Sequence, residues 1–289
     1  MLARSLHKQP TLWLFLLFCG FLFYQFSKDP SDSSLVGLDA FTSKDAPAKA
    51  PTKSPKIAII TFITQNPSYL HLSLKNKDHY ARRHGYDLIV DYEAHSEKGL
   101  MWWKYAMIER LIKKKRDWDW IWWMDFDTLI TNTNIKVGDV VDEALANVTD
   151  PSQIDWLLSH DCNGLNFGSF LVRNHERPLK FIDDVVAMST NKKEDGGDPS
   201  EQDATAMLIK ADPKSAARTM QIPQTKINGF PQEIACFDED HQGWEPGMFV
   251  LHFAGAWAHV KGEDPTGQMM RKYEGDIIWG DWKDFYEQA

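Results

Sequence analysis

Two aspartates separated by one residue can hold a hard cation when both carboxylates leave the chain on the same side, and the sequence offers this at Asp125-Phe126-Asp127. In extended backbone, residues i and i+2 point the same way, roughly 6.6–7 Å apart. Oxygens so arranged can share a divalent ion and the phosphates bound to it. The spacing alone is cheap, because Asp117-Trp118-Asp119 and Asp238-Glu239-Asp240 also fit it. Context separates them. Asp125 follows the apolar run WIWWM, Trp120 to Met124, and Thr128-Leu129-Ile130 continues that run. Asp117 and Asp119 sit beside Arg116 and the lysines before it, which suits a solvated ion-pair cluster. Nothing adjacent in sequence offers Asp125 and Asp127 a cationic partner, so their carboxylates need one from elsewhere. The competing structural reading is a turn after a strand, or a helix N-cap.

The elements around this pair alternate. KIAIITFIT, Lys56 to Thr64, is a β-branched run and a buried first strand. Ser68 to His84 reads as a helix closed by Gly85. Tyr86 to Asp91 is a second strand, and Lys104 to Lys115 a helix with Tyr105, Ile108, Leu111 and Ile112 on one face. Trp120 to Met124 is the third strand. Ile154 to Leu158 and Leu165 to Val172 read as strands, Pro178 to Met188 and Glu201 to Lys210 as helices, and Met248 to Phe253 as a late strand. Such alternation predicts an α/β fold with a mainly parallel sheet. Ligands of such sheets sit beyond the carboxyl ends of the strands, where Asp125 and Asp127 fall.

Composition narrows the function classes. The net charge is −9, from 32 basic and 41 acidic residues, and no basic stripe stands out, so a nucleic-acid partner is not expected. An acidic protein that binds a phosphorylated ligand needs local positive charge, which a metal supplies. The three cysteines, Cys19, Cys162 and Cys236, show no CxxC spacing, which leaves zinc-ribbon and redox readings unsupported. Cys162 and Cys236 are open between two readings, a disulfide in an oxidising compartment and two buried thiols.

The amino terminus reads as a membrane anchor. Gln9 to Ser27 carries no charge and includes LWLFLLFCGFLFYQF. As a helix it would span roughly 28 Å at about 1.5 Å per residue, close to the roughly 27 Å of an early secretory bilayer. Arg4 and Lys8 precede it, so residues 1–8 form a cytoplasmic tail and the remainder is lumenal. No small-x-small cleavage site follows the run closely. Residues 28–55, rich in Ser, Asp, Lys, Ala and Pro, read as a flexible stem, and 56–289 as one lumenal domain.

WIWWMDFDTLITN, Trp120 to Asn132, resembles glycosyltransferase family 34, which includes fungal galactosyl- and mannosyltransferases and plant xyloglucan xylosyltransferases. Four further segments agree in order: HYARRHGYDLIVD (His79 to Asp91), LNFGSFLVRN (Leu165 to Asn174), SEQDATAMLIK (Ser200 to Lys210) and LHFAGAW (Leu251 to Trp257). The resemblance runs from about Lys56 to Gly262. It implies a GT-A fold, a Rossmann-like domain that binds a nucleotide sugar. It further implies Mn²⁺ or another divalent cation held by Asp125, Asp127 and His252, and retention of configuration at the sugar. By position, Gln202 lies beside the anomeric carbon, with Glu201 and Asp203 near the donor or acceptor sugar. Asn166 and Gly168 fall where backbone can approach the donor, though Gly168 also suits a strand bulge. In the plant members a lysine near the place of Trp257 reaches the diphosphate, whereas here the nearest is Lys261.

The function implied is that of a Golgi type II membrane enzyme. It would move galactose or mannose from UDP-Gal or GDP-Man to a mannose-containing glycan, alone or in a homo- or hetero-oligomer of Golgi transferases. Gln202 would stabilise positive charge on the sugar, or Glu201 or Asp203 would act as a covalent nucleophile. Trp102, Trp103, Trp122, Trp123, Trp244 and Trp257 are candidate sugar platforms, with one of Trp122 and Trp123 expected in the core. Asn147-Val148-Thr149 is a glycosylation sequon usable only in the lumen. Two alternatives differ in class: a non-catalytic glycan-binding subunit, and a phosphohydrolase of the haloacid-dehalogenase type. The latter keeps one residue between its second Asp and the Thr, and carries the motif on its first strand; here Thr128 follows Asp127 directly, on the third.

Overall fold

A computed structural model describes residues 54–193 and 196–286. The expected tail, membrane run and stem up to residue 53 lie outside the described residues. Among those described, no helix is long and apolar enough to cross a membrane.

Short β-branched and aromatic runs build the central sheet. Its strands are β1 (Ile57–Phe62), β2 (Asp87–Asp91), β3 (Trp120–Met124), β5 (Trp156–Asp161), β6 (Gly164–Arg173) and β7 (Thr219–Gln221), in the order β2-β1-β3-β6-β5-β7. β1 runs parallel to β2 and β3, and β5 parallel to β7, while β6 is antiparallel to both of its neighbours. β6 is thus the single reversed strand, and the expectation of a mainly parallel sheet holds. A second ribbon pairs β4 (Thr128–Ile130) with β8 (Val250–His252), antiparallel.

Five helices cover the sheet on two faces. α2 (Trp103–Lys113), α4 (Arg177–Met188) and α5 (Glu201–Ala211) bury Ile108, Phe181 and Leu208 against Ile60, Trp123 and Phe170. Across the sheet α1 (Leu70–His84) and α3 (Val137–Leu145) pack Tyr80 and Val141 against Ile59, Trp122 and Leu171. Successive strand residues face opposite ways, so Trp122 enters one layer and Trp123 the other. Both are buried, which corrects the expectation that only one is core: a central strand covered on both sides has no solvent face. α6 (Pro265–Tyr273) caps the β4–β8 ribbon through Met269, Met270 and Tyr273.

α1 ends as its sequence predicts. Gly85 takes the left-handed conformation, φ 65° and ψ 32°, and its N–H is shared by the carbonyls of Ala81 and Arg82. β7, α3 and α6 are additions that periodicity did not signal, being short or placed at the edge of the sheet.

Candidate functional site

β3 ends at Met124, between β1 and the reversed β6, and the chain leaves the sheet at Asp125. The Asp125 N–H donates to the carbonyl of Gly168 on β6 at 2.7 Å, which fixes the turn. The chain then re-enters extended structure at Thr128. Thr128 lies opposite His252 in the β4–β8 register, and Phe253 N–H donates to the Asp127 carbonyl at 3.1 Å. This ribbon is why residues distant in sequence converge. One ligand atom each from Asp125, Asp127 and His252 lies within 4.8 Å of the others. His252 Nε2 stands 3.4 Å from Asp127 Oδ1.

The surroundings fix each group. Trp123 Nε1 donates to Asp125 Oδ1 at 2.7 Å. The imidazole is buried, and its Nδ1 is 2.8 Å from Asn228 Oδ1. Asn228 reaches Asn166 Oδ1 at 2.7 Å, and Gly168 N–H donates to that same oxygen at 2.9 Å. Gly168 lies where β6 gains residues over β5, between the pairs Leu157–Leu171 and Ser159–Asn166, so it is both a bulge and a point of close approach. What approaches it is the imidazole. Asn166 and Gly168, expected near the donor, have their amide and open face turned to His252 and its support.

Two buried lysines flank the acidic pair, supplying from other helices the cations that the adjacent sequence lacks. Lys104 Nζ is 2.9 Å from Glu201 Oε1 and 3.7 Å from Asp125 Oδ1, and donates to the Phe167 carbonyl at 3.1 Å. Lys77 donates to Ser73 Oγ and to the Thr128 carbonyl, both at 2.9 Å. Both come from helices packed under the turn, a proximity that local sequence does not carry. Burial pushes the Asp125 carboxyl up, the neighbouring Asp127 adds to that, and Lys104 only partly opposes it. Burial also raises Asp127, but the His252 ring in its cationic form and the Lys77 ammonium outweigh it and the carboxyl falls below its usual range. Burial lowers the Lys104 ammonium, yet Asp125 and Glu201 outweigh that and hold it above its ordinary value. Burial drives Lys77 down to about 7.

A cavity of about 290 Å³ opens beside the pair, lined by Thr64, Gln65, Tyr69, Met101, Asp125 and Asp127 among others. The loop after β1, Ile63 to Pro67, was not singled out from sequence; its position at the carboxyl end of β1 was the available signal.

The three acidic-helix residues separate. Glu201 is buried on Lys104. Asp203 closes a capping box, its Oδ2 accepting from Ser200 N–H at 3.0 Å while Ser200 Oγ accepts from Asp203 N–H at 3.1 Å. Gln202 Oε1 accepts from Phe167 N–H at 2.8 Å, next to Gly168. Lys261 is exposed beyond the Ala256–His259 turn, and no described contact joins it to the cluster. Among the tryptophans, Trp102, Trp122, Trp123 and Trp244 are buried, Trp103 is half-buried with its Nε1 on Asp91, and Trp257 stands 78% exposed. Cys162 and Cys236 form a disulfide between the β5–β6 turn and the loop after Phe230.

The donor set fits a divalent cation. Two carboxylates and an imidazole, the far nitrogen of which is hydrogen-bonded, are ligands suited to Mn²⁺-type ions. The motif ends the third strand in order, not the first, unlike the phosphohydrolase arrangement.

The profile of the galactosyl transferase GMA12/MNN10 family matches residues 53–262. An uncharacterised α-1,2-galactosyltransferase of Schizosaccharomyces pombe is 28% identical over 74% of this chain, which spans 61% of that protein. A probable α-1,6-mannosyltransferase of Saccharomyces cerevisiae is 26% identical over 55% of this chain and 47% of its own. The crystal structure of a glycosyltransferase involved in glycosylation of the major capsid of PBCV-1 superposes with a TM-score of 0.55 at 18% identity, covering 75% of this chain and all of that one, which marks the fold as GT-A-like.

Proposed function

The chain belongs to the galactosyl transferase GMA12/MNN10 family and is a glycosyltransferase, and from that premise we propose that it transfers galactose or mannose from UDP-Gal or GDP-Man to a mannose-containing glycan, with retention. The observation that carries the reading is the convergence of Asp125, Asp127 and His252, with the two carboxylates lining a cavity beyond β3. A bound divalent ion such as Mn²⁺ supplies charge neutralisation for the departing diphosphate. The protein contributes three ligands, the Trp123 N–H that orients Asp125, and the cavity beside the β1 loop that takes the nucleotide.

The carboxylates of α5 favour one form of the chemistry. Glu201 is neutralised by Lys104, and Asp203 is committed to its helix cap, so neither is free as a nucleophile. Gln202 has no partner on its amide nitrogen among the described residues, and its oxygen keeps a second lone pair beside Phe167. This supports Gln202 as the group nearest the anomeric carbon. The acceptor hydroxyl then attacks on the leaving-group face, and the departing phosphate takes its proton. Exposed Trp257, a few residues after His252, is the remaining candidate platform for the acceptor sugar.

The Cys162–Cys236 disulfide supports an oxidising compartment, and with the apolar run at Gln9 to Ser27 it favours a Golgi membrane enzyme with a lumenal domain. The exposed Asn147 sequon tests that directly: expressed in a secretory host, the chain should carry a glycan that Thr149→Ala removes.

Donor profiling of the full chain against UDP-Gal, GDP-Man, UDP-Glc and UDP-Xyl tests the activity. Transfer should require Mn²⁺ and vanish in folded Asp127→Ala. Full activity in EDTA, or in that variant, refutes the metal role.

A further inference from the structure

We propose that Asn228 is the positioning residue that sets the tautomer of His252, so that Nε2 meets a divalent cation as a bare lone pair. The inference rests on the metal-dependent reading above, and follows from donors of fixed identity.

The chain of assignments starts at backbone. Gly168 N–H can only donate, and it does so at 2.9 Å, so the receiving atom of Asn166 is its oxygen. The other end of Asn166 is then the amide nitrogen, and it donates to the Asp161 carboxylate at 2.7 Å, as a nitrogen should. Asn228 faces the same Asn166 oxygen at 2.7 Å, so the facing atom of Asn228 is its nitrogen, which also reaches Ser159 Oγ at 3.0 Å. The oxygen of Asn228 is left to face His252 Nδ1 at 2.8 Å. An oxygen there requires the proton on Nδ1, and a neutral imidazole then has no proton on Nε2.

The consequence lies across the ring. Nε2 is 3.4 Å from Asp127 Oδ1, so two lone-pair-bearing atoms face one another, an arrangement that a shared cation stabilises. Asn228 is fully buried between β8 and the β5–β6 pair and does not line the cavity beside Asp125, so it acts through His252 and not on the donor. An outer partner of this kind fixes both ring orientation and ligand basicity, and its loss typically weakens metal binding by about 10–100-fold.

The test uses the full-length chain and two readouts independent of transfer: Mn²⁺ affinity by calorimetry, and ¹⁵N spectra of histidine-labelled, metal-free protein, with the His252 signal assigned by its loss in His252→Gln. Wild type, at a pH where the imidazole is neutral, should show a pyridine-type Nε2. Asn228→Leu, folded by its cooperative melt in EDTA, should lose that signature and bind Mn²⁺ roughly 10–100-fold more weakly. Asn228→Asp keeps an acceptor for Nδ1–H while losing the donor to Asn166 Oδ1, so it should melt lower than wild type and, where folded, recover most of the affinity. A pyrrole-type Nε2 on the neutral ring of wild type overturns the proposal, as does unchanged affinity in Asn228→Leu or equal loss in both variants when both are folded. Should Asn228→Leu fail to fold, the wild-type spectrum and Asn228→Asp decide. Wild type that binds no Mn²⁺ sinks the metal reading itself, whereas tight binding in all three chains sinks only the role of Asn228.

Discussion

The imidazole of His252 rests on the backbone of Gly168 so closely that a methyl group added there would fall 2.0 Å from its Cε1. Asn228 holds the ring through Nδ1, the missing side chain of Gly168 leaves the room the imidazole occupies, and the other ring nitrogen is 3.4 Å from Asp127.

Gly168→Ala should therefore displace the ring. Overpacking of this kind costs about 1–3 kcal/mol of stability, and a ligand moved by an ångström loses its ion before the fold is lost. The expected result is a folded protein with a lowered melting temperature and Mn²⁺ affinity weakened at least tenfold. Calorimetry at wild-type affinity would show that the ring does not depend on this contact.

Lys104 ties α5 to the acidic turn from within the core. Removing it as Lys104→Met leaves Glu201 buried without its counter-charge and Asp125 without its neighbour, a loss of about 3–5 kcal/mol where one partner of a buried pair is deleted. Lys104→Met with Glu201→Met should recover much of that stability in chemical denaturation. Equal destabilisation in the single and double variants would mean that the two residues are not coupled.

The folded chain holds Lys77 at about 7 against an ordinary 10.5, through burial. The unfolded chain binds the extra proton between those two values. Lys77 thus makes stability rise with pH across that window, by up to about 1.4 kcal/mol per pH unit, and the gain is lost as pH falls through 7. In metal-free protein, wild type should gain stability relative to Lys77→Met between pH 7 and pH 9. Parallel curves would show that Lys77 is not held neutral.

Much of the fold was legible because its strands are short, apolar and terminated by polar residues. WIWWM announces a buried strand, and Asp125 and Asp127 stand out because that run, continued by Thr128-Leu129-Ile130, carries two carboxylates to a sheet edge. His252 was legible only through resemblance, since a histidine after an apolar pair is equally a satisfied core residue. Its support was not legible at all: Asn228 and Asn166 meet across the fold, and no local pattern marks an asparagine as a tautomer-setting group. The two lysines left a fainter mark. Lys104 shares a helical stripe with Met107, Ile108 and Leu111, and Lys77 one with Ser73, Tyr80 and Ala81, so both lie on faces that helical periodicity assigns to the core. Tryptophans misled as sugar platforms because their size serves a core equally well: Trp102, Trp122 and Trp123 are buried between the sheet and its helices, and Trp244 beside the β4–β8 ribbon.

The most direct test is pulsed electron paramagnetic resonance of Mn²⁺ bound to the full-length chain with ¹⁵N-labelled histidine. One imidazole nitrogen should couple to the ion, and the coupling should disappear in folded His252→Ala and, with the ion itself, in Asp127→Ala. Mn²⁺ bound without nitrogen coupling, or coupling that survives His252→Ala, would contradict an ion shared by Asp127 and His252.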